Sequence, residues 1–404
     1  MRIVNLSRDR LAEMEQVFCE ALGVRQKKVD HDTLWQYFDA ERSWLALDDA
    51  DRVAGLAHGF ATRLVLPGGR VVDGGGVPWV GVRVDRHGSG IGRALLEHQV
   101  ADAADRGDAF LALNSSQYPI YGRYGYGPTG RWWAIRIDPR RVRWREDAPT
   151  VGRVTVGHGA DVRERLVDCY ERSFGAWPGE IARHPGHWTR RLAPPAANEE
   201  HMPWAMLEDA SGTVVAAARY SVEERFDDTG FANRLKVDDL FGVDETSQVA
   251  MWRWLLARNL VGEVSCFRAD PGSALPDALD DPRLLVTTEL FDTTWLRVLD
   301  VARVLGARAT LATGSVVVRV LDPLVASVAG NWRLAGDGER LTVERTDEAP
   351  GVTLRVDLLA SLAFAHGNAS RLAAAGRLAG SPTALETLDR LLAWPRPAWS
   401  SHMF

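Results

Sequence analysis

The residues best suited to chemistry lie between Arg86 and Asp108, in the run RHGSGIGRALLEHQVADAADRGD. Gly88, Ser89, Gly90, Ile91 and Gly92 make a turn of small residues. It opens onto an apolar pattern at helical spacing: Ile91, Leu95, Leu96, Val100, Ala103 and Ala104. Exposed backbone N–H groups and the positive end of a helix dipole together suit an anion. Three anions are candidates: a dinucleotide pyrophosphate, a nucleoside triphosphate or coenzyme A. A P-loop needs a lysine on the phosphates, and the only lysines are Lys27, Lys28 and Lys236. A short-chain dehydrogenase turn needs glycine where Arg86 stands, and later a Tyr-x-x-x-Lys pair. No lysine lies between Val29 and Leu235. The acidic residue expected about 20 positions on is also missing, since Asp108 comes sooner. Coenzyme A needs no lysine, because a nest of backbone N–H groups suffices. A purely structural glycine turn between strand and helix is the alternative.

A second group follows in SSQYPIYGRYGYGPTG, Ser115 to Gly130. Moving an acyl group from a thioester to an amine makes two proton demands. The ammonium, with a pKa near 10, must lose a proton, and the departing thiolate, with a thiol pKa of about 8.5, must be stabilised by a donor. Tyrosine suits the second task, and Tyr118, Tyr121, Tyr124 and Tyr126 all qualify by type. His58, His87 and His98 are scattered and form no nucleophile–base pair; each reads as a surface or core residue. Cys19, Cys169 and Cys266 have no metal-ligand spacing, so no metal is expected; three unpaired cysteines fit a reducing cytoplasm.

The turn resembles the R/Q-x-x-G-x-G/A signature of GCN5-related N-acetyltransferases, with His87 in place of Arg or Gln. Val80-Gly81-Val82 is then the strand that pairs with the pantetheine amides. The run from Ile120 to Pro128 resembles I-Y-G-R-F-G-Y-G-P of the Eis (enhanced intracellular survival) family, with Tyr124 for Phe. Thr294-Trp295-Leu296-Arg297-Val298-Leu299-Asp300-Val301-Ala302 is similar to that family's L-W-L-R-I-M-N-V-P, and the length and terminal Phe404 also match. The resemblance implies an α/β (α+β) fold: two tandem acetyltransferase-like domains, the second degenerate, and a sterol-carrier-protein-like C-terminal domain. It implies acetyl-coenzyme A as co-substrate, a small-molecule amine as acceptor and a homohexamer. Some members acetylate aminoglycosides. It assigns Tyr126 as general acid and the terminal carboxylate of Phe404 as general base. The candidate cofactor-binding residues are Val80, Gly81, Val82, Gly88, Ser89, Gly90, Ile91, Gly92, Arg93, Ser116 and Gln117. One departure is the end, Ser400-Ser401-His402-Met403-Phe404, which lacks the family's Glu near the terminus. Asp30, Asp32 and Asp39 are candidates to compensate. Two other readings stay open: an inactive scaffold that binds a lipid or other ligand, and a transferase for a longer acyl-coenzyme A.

Elements must hold these groups in place. Leu11 to Leu22 predicts a helix; Ser43 to Leu47, Arg52 to Phe60 and the alternating Val80, Val82 and Val84 predict strands. Gly107 stands where a helix cap belongs, and Phe110 to Leu113 is the next strand. Trp35 and Phe38 are expected in the core. The polar stretch Arg143 to Thr150 suggests a boundary, giving domains 1–148, 149–295 and 296–404. In the second, Val249 to Leu260 reads as a helix; in the third, Gly336-Asp337-Gly338 reads as a hairpin turn and Pro382 to Leu392 as a helix. At 404 residues and 46% hydrophobic composition, such domains can bury real cores. A net charge of −6 argues against nucleic acid. No apolar run long enough for a membrane span and no signal-peptide pattern is present, so a cytoplasmic protein without membrane contact is expected.

Overall fold

The computed structural model describes residues 1–24, 30–193, 202–228 and 230–404. Lys27 and Lys28 lie outside them. The first segment holds strands β1 (Arg2–Asn5), β2 (Trp44–Leu47), β3 (Val53–Ala57), β4 (Phe60–Val65), β5 (Val71–Gly76), β6 (Val80–Val82), β7 (Phe110–Asn114) and β8 (Tyr126–Pro128). Its helices are α1 (Leu11–Leu22), α2 (His31–Trp35), α3 (Ile91–Asp105) and α4 (Tyr118–Tyr121). Helix α1 buries Leu11, Met14 and Val17, a stripe at helical spacing, and ends at Gly23 in the left-handed region. Gly107 (φ 77°) closes the turn after α3 where it was expected.

Two sheets share this segment. One has the order β1-β2-β3-β6; the other begins β4-β5-β7. β3 and β4 are successive parts of one run, and so are β5 and β6. The long hairpin therefore bends from one sheet into the other. The bend falls at Val77-Pro78-Trp79, where proline has no N–H for a ladder.

Two strands cross between segments. Arg131–Ile137, expected within the first segment, pairs instead with Val261–Ala269 and Val286–Asp292 in a seven-stranded sheet of the middle segment. In return Thr294–Val298 runs between β7 and β8, with Trp295 opposite Leu113 and Arg297 opposite Tyr126. All five residues of that strand are buried, which suits a central position. The middle segment's long helix, Glu245–Leu256, starts four residues earlier than the apolar pattern suggests. Asp244 and Ser247 form a capping box that sets its start. The third segment has a five-stranded sheet and the helices Val301–Ala307, Val356–Ala363 and Pro382–Leu392. Its hairpin turns at Gly338 (φ 97°). Arg308 is buried and donates to the carbonyls of Leu391 and Leu392 at 3.0 Å each, closing the last helix.

The first and third segments share one apolar core, in which Leu96 and Val100 belong with Leu359 and Leu388. Arg297 and Asp322 face each other across it at 2.6 Å with both side chains fully buried. Helix Val356–Ala363 lies so close to β8 that a Cβ on Gly127 would sit 1.9 Å from the Asp357 carbonyl oxygen. Gly127→Ala should therefore cost about 2–3 kcal/mol, because backbone must yield on both sides. Gly122→Ala has open space and ordinary helical backbone. It should be neutral or stabilise by up to about 1 kcal/mol. Urea denaturation of the two variants checks the contrast.

Candidate active site

The bend at Pro78 opens the sheet. β5 pairs in parallel with β7 through Gly75 opposite Leu111 and Gly76 opposite Ala112, and Val77 N–H still reaches the Ala112 carbonyl at 2.7 Å. Beyond that point β6 follows β3 only, with Gly81 opposite Leu56. Leu113 and Asn114 pair only with the crossing strand. The facing edges of β6 and β7 thus diverge and keep free backbone groups. Glycines 74 to 76 make the closed end possible: a Cβ on Gly74 or Gly76 would lie 2.4–2.8 Å from atoms of Phe110 or Phe60.

The glycine turn stands just beyond β6. Gly88 (φ 79°) and Gly90 (φ 86°) both adopt left-handed backbone, which explains glycine at these two positions. The first bond of α3 runs from Ala94 N–H to Gly90 carbonyl, 3.0 Å. The N–H groups of Ile91, Gly92 and Arg93 precede it and are the ones a helix start leaves free. Gly88, Ser89, Gly90 and Arg93 are exposed. Arg83 and Arg86 flank the turn but are tethered, both to Asp48 and Asp85. His87 Nε2–H donates to the Val82 carbonyl at 3.0 Å, so this side chain turns back onto β6. Across the split, Ser116 and Gln117 are exposed and lead into α4. The turn after α4 lies next to α3, where Tyr124 feels the charges of Glu97 and Arg93. The expected cofactor residues therefore fall on two runs, β6 through the start of α3 and the residues between β7 and α4.

Polar atoms at the end of β7 and on β8 lack partners. Asn114 Nδ2, Ser115 Oγ and the Tyr126 hydroxyl are buried with no hydrogen bond among the described residues. Such groups are costly unless a ligand satisfies them. Tyr126 is fully buried on β8, with its ring 6.0 Å from that of Tyr121. Burial pushes its hydroxyl well above the ordinary value, and the Arg297 guanidinium only partly opposes this. The phenol is therefore protonated throughout the physiological range. Of the other tyrosines, Tyr118 is exposed, Tyr124 is half-buried and Tyr121 is buried.

The chain's last residue reaches the same place. Phe404 N–H donates to Asn114 Oδ1 at 3.3 Å, at the end of β7. Its ring packs edge-on to Phe60 (5.4 Å) and beside His402 (5.0 Å). Phe60 in turn touches His184, whose imidazole is lowered by burial against the pull of Asp39. Phe404 also borders the cluster that holds Phe38 in the core and Trp35 half-buried. Trp79, at the bend, stacks on Phe18 at 4.1 Å. Of the acids considered as compensation, Asp30 is spent capping α2 and Asp32 pairs with Arg8. Asp39 is likewise engaged, capping the turn that follows it and pairing with Arg42 at 3.4 Å, while its charge still reaches His184.

What holds the tail is a set of residues that sequence reasoning missed. Trp399 N–H donates to the Pro178 carbonyl (2.9 Å), and Trp132 Nε1 donates to the Ser400 carbonyl (3.0 Å). Glu180 accepts from Ser400 Oγ (3.1 Å), Ser401 N–H (3.0 Å) and Tyr170 hydroxyl (2.6 Å). Arg183 donates to Ser401 Oγ (2.8 Å) while gripping Asp239 with two bonds of 2.9 Å. The rings of His402 and His187 meet edge-on at 4.2 Å, both buried. The signal for this dock was the serine pair inside an otherwise apolar end, AWPRPAWSSHMF.

A splayed strand pair, a glycine turn at a helix start and a buried tyrosine define an acyltransferase of the GNAT class. Comparison with known proteins agrees. Acetyltransferase (GNAT) domain models match residues 2–129 and 179–304, and a sterol carrier protein domain model matches 301–401. The chain is 30% identical to an uncharacterised N-acetyltransferase of Streptomyces coelicolor, over 83% of this chain and 82% of that one. It is 30% identical to the N-acetyltransferase Eis of Mycobacterium tuberculosis, over 81% and 79%. The crystal structure of Eis1 from Mycobacterium abscessus superposes with a TM-score of 0.88 at 27% identity, covering both chains fully. The chain belongs to the Eis family of N-acetyltransferases.

The tail dock has a pH dependence of defined sign. Burial first, then nearby arginines and, for His187, the His402 ring, hold the imidazoles of His187 and His402 well below their ordinary value of 6.5, with Asp239 opposing only in part at His402. The folded state keeps them neutral, so the unfolded state binds protons first as pH falls. Stability is then lost progressively below about pH 6.5, by about 2 kcal/mol per histidine at about pH 5. Thermal unfolding across this range should show that decline, and His402→Phe should flatten it. Glu180→Gln with Ser401→Ala should free the tail. Carboxypeptidase Y should then remove Phe404 much faster than from the native chain, and equal rates would exclude the dock as the tail's anchor.

Proposed function

We propose that this enzyme transfers the acetyl group of acetyl-coenzyme A directly to a primary amine of a small molecule, in a ternary complex formed at the β6–β7 split. The observation that carries this reading is that the β6–β7 split, with its free backbone edges and the glycine turn at the start of α3, ends where Phe404 docks on Asn114, while Tyr126 on β8 is a buried tyrosine without a partner among the described residues. The residues present fit coenzyme A. The amides of Ile91, Gly92 and Arg93 would hold its pyrophosphate, with Gly88, Ser89 and Gly90 shaping the turn. The free edge of Val80, Gly81 and Val82 would pair with the pantetheine amides, and Ser116 and Gln117 would border the other side. The cofactor supplies an activated thioester.

The chain's own groups then handle protons. The terminal carboxylate of Phe404 accepts the proton of the incoming ammonium, directly or through water. Phe404 is half-buried against Phe60 and His402, and closing a substrate over it would desolvate the carboxylate and strengthen it as a base. The neutral amine attacks the thioester carbonyl, the C–N bond forms and the C–S bond breaks. Tyr126 donates its hydroxyl to the departing sulfur. A phenol raised this far is a poor net acid but a constant donor. It stabilises thiolate as charge develops, and the sulfur leaves as a thiol once a proton follows. Asp39 supplies negative charge for a cationic acceptor where the family's terminal Glu is missing. Amines with one or several charges, aminoglycosides included, form the class to screen. Self-association as a homohexamer and a cytoplasmic setting belong to the same reading.

Tyr126→Phe should lower kcat roughly 100-fold or more while leaving KM for acetyl-coenzyme A nearly unchanged. Extending the chain by two glycines beyond Phe404 should lower kcat/KM for the amine and move its pH profile upward. A thiol-release assay over an amine panel measures both. Amine-dependent release that survives both changes overturns the assignment of Tyr126 and Phe404. No release with any amine favours a ligand-binding scaffold.

A further inference from the structure

A cavity of about 620 Å³ lies where the first, middle and third segments meet, within the usual range for a small-molecule pocket. Tyr118, Trp295 and Phe291 line its aromatic side, with the Tyr118 and Trp295 rings edge-on at 4.7 Å. Arg131 and Arg371 line it too, from different segments. Among the described residues, neither guanidinium has a carboxylate within ion-pair distance. The cavity has two carboxylates of its own, and Asp292 stands directly opposite Arg131 across the strand pair. Asp292 accepts from Trp295 Nε1, and Asp357 pairs with Arg355 (3.0 Å) and Arg377 (3.5 Å). His366, also in the wall, confirms where the free charges sit. Burial first, then Arg131 and Arg371, hold its imidazole down at about 4, so it is neutral at pH 7. The pocket thus holds two exposed arginines outside any ion pair, beside the carboxylate of Asp292 and an aromatic wall of Tyr118, Trp295 and Phe291.

We propose that this interdomain cavity is a binding site for a small organic anion: a carboxylate or phosphate carried on a flat apolar body. Arginine recognises either group through paired N–H donors and stacks on flat rings. The two arginines come from separate segments, so a single anion can bridge them. The apolar body is then placed against Trp295 and Tyr118. Tyr126 also lines this cavity, so the site shares a wall with the proposed proton donor, and a binding measurement reads it without any turnover.

The test uses the full chain and 1-naphthoate as probe, followed by quenching of tryptophan fluorescence, with 1-naphthalenemethanol as the uncharged match and naphthyl phosphate as the second anion. Saturable quenching by either anion, at least 10-fold tighter than by the alcohol, is expected. Arg131→Gln and Arg371→Gln should each weaken it several-fold, and together at least 10-fold, with the unfolding temperature unchanged. Binding of naphthoate alone points to carboxylates, and of naphthyl phosphate alone to phosphates; either supports the site. Equal affinity for the alcohol, absence of saturation with both anions, or affinity indifferent to the double variant overturns it.

Discussion

The geometry of the site depends on burying the last residues of the chain. A chain end normally frays, and a frayed carboxylate would have neither a fixed position nor a dry environment. Here Glu180 and Arg183 turn the backbone and hydroxyls of Ser400 and Ser401 into an internal polar network. Arg183 can sit there only because Asp239 neutralises it with two bonds. It also lies over the faces of Tyr170, Trp188 and Phe241, at 4.3–5.0 Å. A lone buried arginine would cost several kcal/mol; paired, bonded and stacked, it becomes a rigid post. The middle segment therefore fixes the chain's end beside β7, the position that the proposed mechanism requires of Phe404.

The split in the sheet has an equally local origin. Proline 78 removes one donor, and glycines 74 to 76 allow Phe60 and Phe110 to close on the strand just before it. The strand is held tightly up to Val77 and released after it. Without the tight half, release would be fraying; without the proline, the ladder would continue and no free edge would face β7. The free edge is useful only because α3 begins a few residues later, at a turn with two left-handed glycines. Backbone groups of one short run, from β6 to the start of α3, thus form one side of the split, with the end of β7 opposite.

Much of this was legible before any coordinates. The glycine turn, α3, Gly107 and the tyrosine-rich motif follow from short-range pattern, and short-range pattern is what a sequence displays directly. The exchange of Arg131–Ile137 for Thr294–Val298 was not legible. Both strands are apolar enough for either sheet, and periodicity says nothing about which neighbour a strand takes. The tail dock was hidden for a different reason. Its partners lie 56 residues apart for Arg183 and Asp239, and 218 apart for Arg183 and Ser401. No spacing rule joins them. Trp35 and Phe38 were read as core on composition alone, and the cluster that holds them also borders Phe404. The division between core and pocket blurs there because the chain's own end forms part of the wall.

The middle segment also shows why one fold repeated need not mean two groove sites. Its strand Asn233–Gly242 leads into helix Glu245–Leu256 as β6 leads into α3. At this second helix start there is no glycine turn. Asp244 supplies the cap: its carboxylate takes the Ser247 N–H at 2.7 Å, while Ser247 Oγ receives the Asp244 N–H. The same positive helix end that attracts phosphate in the first segment is here satisfied by the chain's own anion. A pyrophosphate at that end would have to displace a bonded carboxylate and sit against its charge. A capping box and a phosphate nest are alternative uses of the same free amides. The choice between glycine and aspartate at one helix start therefore separates the segment that can hold coenzyme A from the one that anchors the tail.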